Sequence, residues 1–235
     1  MSTKKKFAMI LSGCGGMDGS ESHEAISLMI AMKQIGANYV CFAIDENQKY
    51  VIHAVDCGVD SSNENEKRNM LVEARRLNHG AVHDLKKLTV DSFDALILPG
   101  GYGTGTSLSS FVTCGNGVCS KNSNYKVRKE IKDVIQEFYK QKKPIFAGCM
   151  APILVNGSLT GVKIMTDVDE YTKEIIEKCG NSYQVCKAGD ICIDKKNKIV
   201  TAPFYMTPKV EVDTIFKESV KGIKEIVKMC SENLD

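Results

Sequence analysis

The most constraining feature of this chain is an order of segments near its start. Phe7 to Leu11 is a short apolar run closed by Ser12 and Gly13, so it reads as a buried strand. A glycine-rich loop, SGCGGMDGSES, follows, and then Ala25, Ile26, Leu28, Met29, Ile30 and Met32 recur at helical spacing until Gly36 stops them. Residues 37–43 return to strand character. Strand, glycine-rich turn, helix and strand in that order make a βαβ unit, and such a unit requires parallel strands.

The same alternation continues. Residues 69–77 read as a helix, 81–85 as a strand, and 95–98 as a buried strand ending in PGGYGTG. Val127, Ile131, Val134, Ile135 and Phe138 mark an amphipathic helix. Residues 144–147 form the next strand, 163–165 another, and 170–179 a helix. ICIDKKNKIVTA reads as a hairpin around a Lys-Lys-Asn turn. Thr207 and Pro208 have the residue types of a helix N-cap and first turn, ahead of a last helix bearing Val212, Ile215, Phe216, Ile223 and Val227 on one face. Residues 50–55 are expected to add a short strand, 58–67 a mobile turn, and 112–124 a polar loop. With no repeat and no linker between cores, residues 1–235 are expected to form a single domain. Its class is α/β, a doubly wound, mostly parallel sheet flanked by helices.

The chain has 235 residues, 43% hydrophobic and 26% charged, enough for a substantial core. Lys and Arg number 31 against 29 Asp and Glu, a net charge of +2 with no basic stripe, which argues against nucleic acid. No apolar run approaches membrane-spanning length, and MSTKKKFAMIL has no signal-peptide pattern. The expected location is cytoplasmic, with an organelle possible if a presequence has been removed. The ten cysteines are scattered without a C-x-x-C pair. They read as reduced thiols, with Cys114 and Cys119 expected to be a free pair in a loop.

In a sheet of this kind, ligands sit beyond the carboxyl ends of the strands. The loops 12–22, 99–106 and 148–152 should meet there. Cys149 follows Gly148 where a buried strand gives way to a helix. The unpaired amides and helix dipole at such a junction are expected to lower its pKa and make it a nucleophile; the bland alternative is a packing cysteine. The amides of Met150 and of Gly101 or Gly100 could form an oxyanion hole. The histidines, His23, His53, His79 and His83, all precede Cys149, which excludes a downstream Cys-His dyad. The proton partner left is Glu24, early in the first helix, where it could donate to the thiolate or act as acid or base. Its bland reading is a first-turn acid, and Asp18 with Glu21 fits a loose capping box. His23-Glu24 fails as a metal motif because residue 27 is serine, and His79 and His83 span an apparent strand start, so no metal site is expected. GYGTGTS lacks the ending of a phosphate loop.

Four blocks, ILSGCGGMDGSESHEA, EKRNMLVEARRLNHG, DALILPGGYG and PIFAGCMAPILV, together with TDVDEY and KIVTAPFYM, resemble the ElbB family of the ThiJ/PfpI superfamily over nearly the whole chain. The resemblance implies a flavodoxin-like, class I glutamine amidotransferase-like fold with a nucleophile elbow. It places the elbow cysteine on Cys149 and the thiol-facing acid on Glu24. It also implies a homodimer and a cofactor-free glyoxalase-like lyase acting on small aldehydes such as methylglyoxal, with a loose link to isoprenoid metabolism. The alternative is a redox-sensing or regulatory protein using the same oxidisable cysteine. The superfamily's histidine is missing, and Asp169, at about the corresponding place, is the candidate substitute. Glutaminase and Cys-His protease chemistry are disfavoured for the same reason.

Overall fold

The computed structural model describes residues 4–52, 66–115, 118–166 and 169–232. Its centre is a seven-stranded sheet built from β1 (Lys6–Ile10), β2 (Asn38–Ala43), β3 (Val82–Asp84), β4 (Ala95–Leu98), β7 (Ile145–Gly148), β10 (Cys192–Asp194) and β11 (Ile199–Ala202). The order is β10-β11-β7-β4-β1-β2-β3, and every pairing is parallel except the β10–β11 hairpin. The chain builds outward from β1 on one side through β2 and β3. It then crosses back to β4, β7 and β11 on the other side. The reversal between β1 and β4 opens a crevice at their carboxyl ends.

Side chains of the central strands alternate between two cores, as the pleat requires. Phe7, Met9, Ala95, Ile97, Phe146 and Val200 face α1 (Ser22–Gln34), α2 (Met70–Asn78) and α7 (Val212–Ser231). Ala8, Ile10, Leu96, Leu98, Ile145 and Ala147 face α4 (Lys129–Lys140), α5 (Pro152–Asn156) and α6 (Glu170–Lys178). Both faces are covered, so the strands are continuously apolar rather than alternating. Among the described residues, no helix is long and apolar enough to cross a membrane.

Several local expectations need correction. Residues 112–124 are not a plain loop. They contain a hairpin, β5 (Val112–Gly115) with β6 (Val118–Lys121), and Cys114 lies directly opposite Cys119. The two are joined by a disulfide, with Cα atoms 4.1 Å apart, so they are not free thiols. Compartment reasoning missed this because strand pairing, not the redox environment, holds the sulfurs together. Residues 50–52 form no strand, and the rest of that expected strand and the turn at 58–65 lie outside the described residues. A short β9 (Ser182–Val185) pairs in parallel with β8 (Lys163–Thr166) and was not expected. The last helix begins at Val212 with Glu211 as its cap, not at Thr207 and Pro208. Lys209, at φ 60°, interrupts the helix there. Val212 is exposed, and the buried face of α7 includes Glu218, Ser219 and Gly222.

At Gly222, α7 lies close against the sheet. A Cβ there would lie 2.3 Å from the Phe146 ring. Gly222→Ala should therefore destabilise by roughly 1–3 kcal/mol through overpacking, although alanine is the better helix former; urea denaturation against wild type measures it. The hairpin makes a second prediction. Intact-mass analysis after thiol blocking should show Cys114 and Cys119 unlabelled until a reductant is added.

Candidate active site

Four strand exits meet at the crevice. Ser12 follows β1, the Pro99–Gly101 turn follows β4, Cys149 follows β7, and Pro203–Tyr205 follows β11. The first two loops are stitched by backbone hydrogen bonds. Glu21 N donates to Gly100 O at 3.1 Å, Tyr102 N to Gly16 O at 2.8 Å, and Gly103 N to Gly19 O at 3.0 Å. This stitching sets the entry of α1. Glu21 caps the helix, its Oε2 accepting from Glu24 N at 2.8 Å. Asp18 takes no part in the cap. It is buried and accepts from Ile52 N at 3.0 Å, so the loose capping box is corrected to a single-residue cap.

The same entry angle carries the Glu24 side chain inward, where it has no solvent exposure. Oε2 accepts from Gly100 N at 3.0 Å. Oε1 meets no partner at good hydrogen-bonding geometry. The Cys149 thiol and the Tyr205 amide nonetheless lie close enough to favour the carboxylate. Burial, reinforced by the charge of Glu21, outweighs them and pushes Glu24 up to about 8.

Cys149 occupies the turn after β7 with φ 52°, a left-handed conformation that L-residues adopt at a cost. Its amide donates to Ala202 O at 2.9 Å, tying the elbow to the neighbouring strand. Gly100 is the piece between cysteine and acid. A Cβ at Gly100 would lie 2.4 Å from Cys149 Cβ and 2.7 Å from Glu24 Oε2. Only glycine leaves the two side chains room to face each other. Gly101, at φ 99°, turns its amide, together with that of Met150, toward the sulfur, where both favour the thiolate.

The expected lowering of the thiol pKa is not what results. The helix beyond Cys149 is only five residues long, a weak dipole. Cys149 opens onto a cavity, but protein crowds its sulfur, and burial with the nearby Glu24 charge raises its pKa above that of an ordinary thiol. Two buried acids at one spot keep at least one proton between them, because both cannot ionise together.

The cavity above Cys149 measures about 380 Å³ and is walled by Gly16, Glu21, Tyr102, Lys121, Met150 and Tyr205, among others. Asp169 is not part of that wall. It caps α6 and pairs with Lys121, which links it to the site. Two wall features escaped sequence reasoning. Lys121 arrives on the unexpected hairpin. Tyr205 accompanies His23 in a 2.8 Å hydrogen bond that joins α1 to the loop after β11, 182 residues apart in sequence. His79 caps α2 in a left-handed conformation and His83 lies on β3, away from this cavity. No group of three or more His, Cys, Asp or Glu among the described residues could hold a metal ion.

No protein-family model matches the chain. It is 34% identical over 210 residues to the human glutamine amidotransferase-like class 1 domain-containing protein 3, mitochondrial, covering 86% of this chain and 75% of that protein. It is 33% identical over 212 residues to the rat ES1 protein homolog, mitochondrial, covering 86% and 76%. Among solved structures, the isoprenoid biosynthesis protein with amidotransferase-like domain from Ehrlichia chaffeensis superposes with a TM-score of 0.81 at 31% identity, over 95% of this chain and 99% of that one. This chain is a member of the ElbB/ES1 family. Glyoxalase III from Candida albicans, at 14% identity and a TM-score of 0.61, shares the fold of this ElbB-like chain, over 96% of the chain.

The raised Glu24 pKa has a consequence for stability. In the unfolded chain Glu24 ionises near its ordinary value of 4.5; in the fold it holds its proton up to about 8. A group whose folded pKa is raised stabilises fully below the unfolded value and loses that contribution as pH rises through the folded one. Wild type should therefore lose stability relative to Glu24→Gln between about pH 4.5 and 8. Paired thermal melts across that range should show the gap moving in the variant's favour, and a constant gap contradicts the assignment.

Proposed function

We propose that this protein is a cysteine-dependent, cofactor-independent glyoxalase-like enzyme that converts small 2-oxoaldehydes such as methylglyoxal to 2-hydroxy acids. The observation that carries this reading is the convergence of Cys149 and Glu24 across the bare Cα of Gly100. A nucleophile alone can add to an aldehyde. A buried carboxyl beside it can also carry a proton from one carbon to the next.

The reactive form of the pair holds one proton. The sulfur attacks the aldehyde carbon, an S–C bond forms, and the carbonyl oxygen takes the proton, giving a hemithioacetal and leaving Glu24 as a carboxylate. Glu24 removes the hydrogen from that carbon. The electron pair becomes the C=C bond of an enediolate, whose oxyanion the amides of Gly101 and Met150 stabilise. Glu24 returns its proton to the second carbon, and the first becomes a thioester. Water then cleaves the S–C bond, releasing the hydroxy acid and restoring the one-proton pair. One carbon is oxidised and its neighbour reduced, so no external oxidant is needed.

The same fold in a protein named glyoxalase III is compatible with this chemistry, but at 14% identity it speaks only to the fold. The redox-sensing alternative requires a thiolate alone and gives Glu24 no task.

Turnover of methylglyoxal to lactate by purified protein tests the proposal. Cys149→Ala should abolish it, and Glu24→Gln should lower kcat on the order of 10²–10⁴-fold. Full activity in Cys149→Ala, or no turnover of any 2-oxoaldehyde by wild type, sinks it. Selective peroxide oxidation of Cys149 without turnover would instead favour sensing.

A further inference from the structure

Lys121 is the one cationic side chain on the wall of the Cys149 cavity among the described residues. It also borders the narrow apolar cleft below, with Phe111, Ile164 and Ile176. Its position is fixed at both ends. The backbone lies at the end of β6, in the disulfide-closed hairpin. The ammonium donates to Asp169 Oδ2 at 2.6 Å and to Thr172 Oγ1 at 2.7 Å, and Asp169 Oδ2 in turn accepts from Thr172 Oγ1 at 2.6 Å. The lysine beside it draws the Asp169 carboxyl down to about 2, so Asp169 stays ionised across the physiological range.

An ammonium has three N–H donors, and this one spends two. The Asp169–Thr172 arrangement anchors a long, otherwise flexible side chain at the cavity wall and leaves one donor over. The remaining charged wall residue is Glu21, fixed as the α1 cap. Glu21 disfavours an anion on the α1 side, while Lys121 favours one on the hairpin side. The two impose an orientation on anything anionic that enters.

We infer that Lys121 is a specificity-determining residue that selects ligands carrying a carboxylate in addition to the group that reacts with Cys149. Under the glyoxalase reading, on which the substrate part rests, the preferred substrates are 2-oxoaldehydes bearing a carboxylate rather than methylglyoxal itself. Asp169 and Thr172 are positioning residues that act through the lysine.

The test uses two alkylating probes that differ mainly in charge, iodoacetate and iodoacetamide. Each forms an S–C bond at Cys149 with loss of iodide, and mass spectrometry of the Cys149 peptide reads the rate. The ratio of the iodoacetate rate to the iodoacetamide rate is internally corrected for any loosening of the fold. It should fall at least tenfold in Lys121→Gln. A ratio within twofold of wild type overturns the inference, as does an equal fall in both rates that leaves the ratio unchanged. Lys121→Arg, which keeps the charge, should hold the ratio within threefold of wild type; a collapse there as deep as in Lys121→Gln also overturns it. Turnover is measured alongside, with 4,5-dioxopentanoate against methylglyoxal. Lys121→Gln should lower kcat/KM at least tenfold for the former and less than threefold for the latter. If neither is turned over but the alkylation ratio falls, the glyoxalase reading fails and the anion preference stands. If the ratio does not move, the anion preference fails whatever the turnover.

Discussion

A carboxyl group sealed from water beneath a thiol is the constraint around which this site is organised. Glu24 has no exposure, one good hydrogen bond from Gly100 N, and an oxygen left over beside Cys149. Burying such a group in its charged form is expensive, so the fold holds it protonated instead. That proton keeps the thiol from facing a second negative charge. The glycine at position 100, the cap at Glu21 and the stitching between the first and PGG loops all serve to bring this acid and this sulfur together.

A second buried acid works from behind the elbow. Glu218 on α7 has no exposure, and its oxygens accept from Phe204 N at 2.9 Å and Gly189 N at 2.6 Å. The Phe204 it holds sits in a left-handed conformation with its ring against Gly148, where any Cβ would lie 2.3 Å away. The strand leading into Cys149 is thereby clamped from the face opposite Lys121. The long C-terminal helix is thus part of what fixes the elbow, although it lines none of the cavity.

How much of this was legible in the sequence follows from which interactions are local. The βαβ order and the strand exits at Ser12, Pro99 and Gly148 follow from short-range patterns plus one topological rule, whereas the pairing of Cys149 with Glu24 comes from excluding the histidines and from the family resemblance. The hairpin at 112–121 was read as loop because glycine and polar residues outnumber its apolar ones, and its stability comes from a cross-strand cysteine pair and packing of Phe111 and Val112 into the core. Lys121, carried by that hairpin, was lost with it. The thiol pKa was misjudged for a different reason: position in the sequence shows the turn and its amides, but not how tightly protein closes over the sulfur or how near a second acid lies. The start of α7 was misplaced because Thr207 and Pro208 have the right chemistry for a helix start, while the left-handed Lys209 is a matter of tertiary geometry.

The left-handed backbone at Cys149 separates what the fold would choose from what the site needs. A side chain at φ 52° carries a strain on the order of 1 kcal/mol that glycine would not, and the sulfur adds a crowded, polarisable group beside a buried acid. A library of this chain sorted for thermal stability alone should drift to glycine at position 149. The cysteine is therefore a residue the architecture tolerates rather than one it recruits, and its retention in any such sorted population would measure selection on chemistry rather than on folding.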